Sequence, residues 1–285
     1  MKKSLIVSAV LLAMIAGPAF AADMPVKTPP PPPAPAVSWP NVYIGAQVGN
    51  EWSKDNWDPT CIDAGGAPLG TCGSALSLVV FPGAPDSAAT FNMSGVRYGL
   101  YGGFTFPVYD RYLVGAEVDY AWHSRTGTVN GVLGCITAAC SGGANGPGPF
   151  TGDSTSITNQ NDYSLRFRAG YLVTPELQIY AAAGPAAQKV SATVVCGATG
   201  AVVCGFGTLV STSSTTLFGY TVGGGIEWKV WNNVLLRGEY RYNDYGTWKQ
   251  SAFVQSGIVE EFADVHVKSQ MLTFGVAYLF TPGAQ

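Results

Sequence analysis

The chain has 285 residues, with 15 basic against 18 acidic side chains and a formal net charge of −3. An acidic balance of this kind excludes the basic surface that nucleic-acid binding requires. Only 12% of the residues are charged, 12% are aromatic and 36 are glycine, a composition odd for a soluble secreted enzyme. It suits a barrel with small residues inside and aromatic and aliphatic ones outside.

Residues 1–21 begin with Lys2 and Lys3, continue through an apolar run from Leu5 to Ile15, and end on Ala19-Phe20-Ala21. This order predicts a secretory signal peptide cut after Ala21. The apolar run is too short for a membrane-spanning anchor, and Gly17-Pro18 ends it. Cleavage would leave 13 basic and 18 acidic residues, 13 − 18 = −5. Residues 22–40 contain PPPPPAPAVSWP, which favours extended polyproline II and is predicted to be a semi-rigid periplasmic linker.

Eight alternating segments follow within residues 41–280, at 41–52, 94–106, 111–123, 161–173, 176–190, 216–228, 232–244 and 269–280. Each has about the length a tilted strand needs to cross a bilayer. Pro185 interrupts the fifth, where a rim or a bulge would tolerate it. Segments two and three are joined by PVYD, four and five by VTP, six and seven by KVW. The other connections are long stretches rich in Gly, Ser and Thr. Short turns on one side and long loops on the other predict an all-β, eight-stranded antiparallel up-and-down transmembrane barrel, with periplasmic turns and extracellular loops. Residues 281–285 form a short C-terminal extension.

Side-chain parity separates two faces, because successive strand residues point opposite ways. Val96, Tyr98, Leu100, Phe104 and Phe106 oppose Arg97; Tyr112, Val114, Val118, Tyr120 and Trp122 oppose Glu117 and Asp119. Tyr163, Leu165, Phe167 and Tyr171 oppose Arg166 and Arg168, and Phe218, Tyr220, Val222, Ile226 and Trp228 oppose Glu227. Val234, Leu236, Tyr240 and Tyr242 oppose Arg237, Glu239 and Arg241. The apolar faces end in aromatics, as interfacial girdles do, so lipid is predicted outside and the nine charged side chains inside. In a narrow lumen these nine should pair as a polar plug.

The six cysteines fall as Cys61 and Cys72, Cys135 and Cys140, Cys196 and Cys204, each pair within one expected extracellular loop. In an exported chain this predicts three local disulfides. No CxxC and no nearby histidine points to a metal site, and no cofactor is expected. His123-Ser124 is the one candidate for lipid-modifying catalysis, but parity turns His123 inward beside Asp119, away from a lipid substrate. No catalytic residue is assigned and an enzyme is not expected. His266 is expected in a loop.

The front segment AADMPVKTPPPPPAPAVSWPNVYIGAQVG, the central SLRFRAGYLVTPELQIYAAAG, and GEYRYNDYGTW with LTFGVAYLF at the back carry a resemblance over the full exported chain. They resemble the rhizobial and brucella-type outer-membrane surface antigens, grouped as porin-family or OmpA-like eight-stranded barrels. The last strand, closing on Phe280, resembles the C-terminal signal read by the barrel-assembly machinery, although TPGAQ follows it. No C-terminal peptidoglycan-binding domain is expected after strand eight. The resemblance implies a structural surface protein of the outer membrane, in contact with its lipid and lipopolysaccharide, whose extracellular ligand is open. Haem binding or adhesion is attributed to some members. A small pore or a ligand receptor such as one for haem is the alternative reading.

Overall fold

The computed structural model describes residues 39, 42–64, 88–130, 154–196, 208–253 and 259–280, apart from the side chains of 61–64, 196, 259 and 260. The expected signal peptide, nearly all of the Pro-rich linker and residues 281–285 lie outside these. Nine strands run in chain order: β1 (Val42–Ala64), β2 (Ala89–Tyr109), β3 (Tyr112–Trp122), β4 (Arg125–Asn130), β5 (Ser154–Leu172), β6 (Leu177–Cys196), β7 (Leu209–Trp231), β8 (Val234–Ala252) and β9 (Val259–Phe280).

All neighbours are antiparallel, and β1 pairs with both β2 and β9. On the far side β3 pairs with β2 and with β5, so the sheet closes on itself. β4 pairs with β5 and continues the line of β3 past His123-Ser124. The nine strands therefore make eight crossings, the third broken in two. Closure removes the edges up to the level of Tyr98 and Trp122; above it, among the described residues, no ladder joins β4 to residues 89–97 of β2.

The short turns are held locally. Asp110 adopts a left-handed φ of 39° between β2 and β3, a conformation that Asp tolerates better than most residues. Between β5 and β6 the Thr174 hydroxyl accepts from the Leu177 N–H at 3.1 Å. Pro185 causes no register shift against β7, where it faces Tyr220. On the β5 side, the ladder skips from Ser164↔Ala186 to Phe167↔Ala183, the gap a missing N–H creates.

The strands are longer than the eight alternating segments: β1, β6, β7 and β9 have 23, 20, 23 and 22 residues. Stretches expected as loops, including Cys61, Cys196 and His266, carry strand backbone instead. The cause is a change of polarity at constant period. Up to Trp52 in β1 the outward residues are apolar (Val42, Ile44, Val48, Trp52) except for Asn50, while Tyr43, Gln47 and Glu51 point inward. Beyond it Lys54 and Asp58 point outward and Trp57 is fully buried. In β9, Leu272, Phe274, Val276, Tyr278 and Phe280 are outward, but farther up Val265 and Val267 turn in and His266 and Lys268 turn out.

An exposed apolar band thus girdles the lower barrel. Trp52, Tyr98, Trp122, Tyr163 and Phe218 rim its upper edge, and Phe106, Tyr112, Trp228, Trp231 and Phe280 its lower edge. Ten steps from Val42 to Trp52, at about 3.3 Å each and tilted by about 40°, cover about 25 Å. Above the band the outer surface is laced by hydroxyl pairs across strands, such as Thr126–Thr158 at 2.8 Å and Thr193–Thr212 at 3.1 Å.

Candidate functional site

The lumen inside the apolar band holds a continuous ion network. At its upper end Arg97 lies 2.9 Å from Asp119 and 2.6 Å from Asp162. His123 Nε2 is 2.9 Å from Asp162, and Arg125 closes on Glu51 at 2.9 Å. Asp119 also takes Arg241 at 2.8 Å, and Arg241 reaches Glu239 at 2.6 Å. Arg166 joins Glu239, at 2.7 Å, to Glu117. Glu117 further accepts Arg168 at 3.0 Å and Arg237, and those two arginines share Glu227 at 2.6 and 3.0 Å.

Six arginines and six carboxylates are counted in these contacts, so the network is formally neutral apart from His123. All are buried; Arg97, Arg166 and Arg241 are among the largest fully buried side chains. Three tyrosines finish the lower layer. Tyr43 donates to Glu117 at 2.7 Å and Tyr180 to Glu239 at 2.5 Å. The Arg168 guanidinium lies 4.0 Å from the Tyr180 ring centroid, and Arg237 4.0 Å from that of Tyr101. Glycine makes room for them: a Cβ on Gly45 would sit 2.6 Å from the Tyr101 ring.

All nine charged residues expected in the lumen occur in this network: Arg97, Glu117, Asp119, Arg166, Arg168, Glu227, Arg237, Glu239 and Arg241. It also contains Glu51, Arg125, Asp162 and His123. Glu51 and Asp162 follow from the parity of their own segments. Arg125 lies past His123, where the third segment was expected to end. The inward aim of Asp162 is secured by a bulge in β5, where the register against β6 shifts between Asn159 and Asp162 and both point inward. His123 lies on the inner face and contacts Asp162.

Apolar clusters lie above and below the network. Over the network lie Trp57, Phe91, Met93, Ile157, Val190, Val265 and Val267. Under it Trp39 packs with Tyr43, Tyr101, Leu113, Leu172, Leu235 and Leu279, and its indole donates to the Pro175 carbonyl at 3.1 Å. Eight crossings give a barrel just wide enough for its own side chains to fill.

Two other chemistries are poorly served. Glu51, His123 and Asp162 place ligand atoms within 4.8 Å of one another, but Arg97 and Arg125 already hold these carboxylates. A divalent ion would have to displace them and would add charge to a neutral lumen. His123 is buried while Ser124 points outward, so these two cannot act as base and nucleophile on one substrate. Cys72, Cys135, Cys140 and Cys204 and the side chains of Cys61 and Cys196 lie outside the described residues.

An apolar outer band between aromatic rings, around a lumen filled with paired charge, defines an integral β-barrel of the outer membrane. The chain belongs to the outer membrane protein beta-barrel domain family, which matches residues 7–280. It is 28% identical to the 31 kDa outer-membrane immunogenic protein of Brucella melitensis biotype 1 over 244 residues, 85% of this chain and 87% of that protein. It is 26% identical to the 25 kDa outer-membrane immunogenic protein of Brucella ovis over 268 residues, 92% and 98% of the two chains. To the 22 kDa outer membrane protein of Rhizobium leguminosarum bv. viciae it is 38% identical over 101 residues, 34% and 41%. Among solved structures, the outer membrane protease OmpT of Escherichia coli aligns at a TM-score of 0.49 and 11% identity, over 84% and 97% of the chains. OprG of Pseudomonas aeruginosa aligns at 0.47 and 13%, over 86% and 99%. Neither structural likeness bears on function.

Proposed function

We propose that the protein is a structural, surface-exposed barrel that contributes to envelope integrity, is closed to solutes, and has no enzymatic role. The observation that carries this reading is the neutral, buried network of six arginines and six carboxylates, capped by apolar layers at both ends. An open diffusion pore needs a water column, whereas here paired side chains fill the lumen within the band, with one apolar cluster above them and another below. Removing one partner of such a network leaves a buried charge unmatched, so the plug is costly to open.

The strands above the apolar band act as a pedestal for the extracellular connections, which Cys61–Cys72, Cys135–Cys140 and Cys196–Cys204 would close. The immunogenic relatives fit a protein whose loops face outward. Mass mapping of unreduced peptides tests the three pairs; free thiols at all six positions in protein taken from the outer membrane would remove the disulfides from this reading.

Single-channel recording in planar bilayers tests the closed lumen. The wild type is expected to conduct little, with rare openings. A large, steady conductance would put a transport role ahead of the structural one.

A further inference from the structure

Above Tyr98↔Trp122, among the described residues, β2 is laddered to β1 alone and β4 to β5 alone. Side chains bridge the interval between them. A Cβ on Gly99, in the laddered part, would meet the Tyr120 carbonyl at 2.4 Å, whereas on Gly95 of β2 it would meet only the Arg125 side chain, at 3.1 Å. On Gly127 of β4 it would first meet Met93 at 3.0 Å and Phe91 at 3.1 Å. The two strands pass at side-chain distance, each laying large residues over a glycine of the other.

Contacts across the lumen tie the two banks together. Arg125 and Asn159 face each other across the β4–β5 ladder at the foot of the interval, and both point inward. Arg125 reaches Glu51 of β1 at 2.9 Å. The Asn159 amide donates to Asp55 of β1 at 2.8 Å and to the Ser53 hydroxyl at 3.1 Å. β1 in turn carries β2 down from Trp57↔Ala89. Glu51 and Asp55 are therefore the points at which the β4–β5 bank is fastened to the β1–β2 bank.

Of these two, Asp55 is the one that cannot be charged cheaply. It is fully buried, three residues above Trp52 and so outside the apolar band. Its neighbours across the β1 ladders are Phe91 of β2 and Val267 of β9. The charged groups that bear on it are Arg125, which favours the carboxylate, and Glu51, which opposes it. Glu51 also lies 4.0 Å from Arg97 and 3.7 Å from His123, but both of these sit closer to Asp162. With Arg125 already on Glu51, an ionised Asp55 adds a buried carboxylate without a cation of its own. Burial accordingly pushes its carboxyl up to about 7, against the pull of Asn159 and Arg125.

We propose that the interval between β2 and β4 is a proton-controlled seam in the extracellular half of the barrel, closed while Asp55 is protonated and parted by entering water when Asp55 ionises. Parting hydrates Asp55 and returns it to ordinary carboxylate behaviour, so between that ordinary value and about 7 opening releases a proton. The preference for the closed form is complete below the ordinary carboxylate value and is lost as pH rises through about 7. An open seam exposes Phe91 and Met93 and leaves the ion network below in place. It is independent of whether the lumen conducts.

Hydrogen peroxide, which converts an accessible methionine to its sulfoxide, reads the seam through Met93. The full folded protein in phosphatidylcholine vesicles is treated at about pH 5 and about pH 8, on either side of the Asp55 transition. Oxidation of each methionine is followed by peptide mass spectrometry relative to free methionine. Met93 is expected to react about tenfold or more faster at the higher pH. Met271, buried opposite Glu51, is expected to stay unreacted. Asp55→Asn keeps the size of the side chain without its titration and should remove most of the increase. Equal Met93 rates at the two pH values, an unchanged increase in Asp55→Asn, or oxidation of Met271 in step with Met93 would each overturn the seam. If Asp55→Asn shows no shift in gel migration between unboiled and boiled samples, and so is not folded, hydrogen exchange of the wild type decides. Amides of 89–97 and 125–130 should then speed up with pH more than those of 190–195 in β6, beyond the intrinsic change, and a uniform response would overturn the proposal.

Discussion

The lower and upper halves of the barrel obey opposite rules with the same backbone. In the membrane band the inward positions hold Arg97, Glu117, Arg166 and Glu239, and the outward ones Val48, Phe167 and Phe274. In the upper half Trp57, Ile157, Val190 and Val265 point in, while Lys54, Thr126, Thr158 and Lys268 point out. Period two is kept throughout. What changes is the solvent outside: lipid rewards an apolar exterior and leaves the polar side chains to pair within, whereas water reverses the preference and the interior gains an apolar cluster, with Asp55, Asn159, Gln188, Gln250 and Glu261 still buried beside it. β9 crosses this boundary within a single strand, between Lys268 and Leu272.

The comparison is broken most strongly from inside the lower half. Glu117→Ala removes the carboxylate that joins Arg166, Arg168 and Arg237, and it is expected to cost about 3–5 kcal/mol. Urea unfolding of the barrel in vesicles measures this, and a cost under about 1 kcal/mol would mean that water already solvates these arginines. Next comes the outer face. Phe167→Arg sets a charge in the band and should cost about 2–4 kcal/mol near the midplane. Thr158→Arg, outward on the same strand but above the band, should stay within about 0.5 kcal/mol. Equal effects would put the boundary between the halves in the wrong place.

The smallest effect sharpens the upper half. Glu261 is fully buried in the extension, opposite Ile62 and well above the level of Trp52. Burial pushes its carboxyl up to about 8, and the nearby Trp57 indole offsets only part of this. Its folded value therefore lies above the ordinary carboxylate value. Between the two, opening of the extension releases a proton, so this contribution to the upper half is complete below the ordinary carboxylate value and is lost as pH rises through about 8. Hydrogen exchange of the β1 and β9 amides above Trp52 should speed up over that range beyond the intrinsic change. Glu261→Gln should remove the excess, and an unchanged pH profile in that variant would assign it to another group.

This division also sets what could be read from the sequence. Segments two, three, four, six, seven and eight show an aromatic face opposed by charge or glycine, and the parity of Arg166, Phe167 and Arg168 is enough to assign inside and outside. Glu51 and Asp162 obey the same parity. Arg125 and the upper halves of β1, β6, β7 and β9 are harder to see, because alternation there no longer carries outward hydrophobicity. Runs such as STSSTT in β7 read as loop when exposure to lipid is the only signal sought. Hydroxyls facing water and small apolar residues facing inward are still a strand pattern, with its sign reversed. The break of the third crossing into β3 and β4 has no comparable sequence mark, since Trp122, His123, Ser124 and Arg125 continue to alternate outward and inward across it.

Trp39 precedes β1, yet its indole is anchored to Pro175 in the turn between β5 and β6, which lies about halfway round the circuit of eight crossings. It therefore acts as a tie-beam across the floor of the barrel. Tension entering through the N-terminal end of the folded chain would meet the far wall as well as the near one, and β1 would be loaded across the cylinder instead of being peeled from its neighbours one rung at a time.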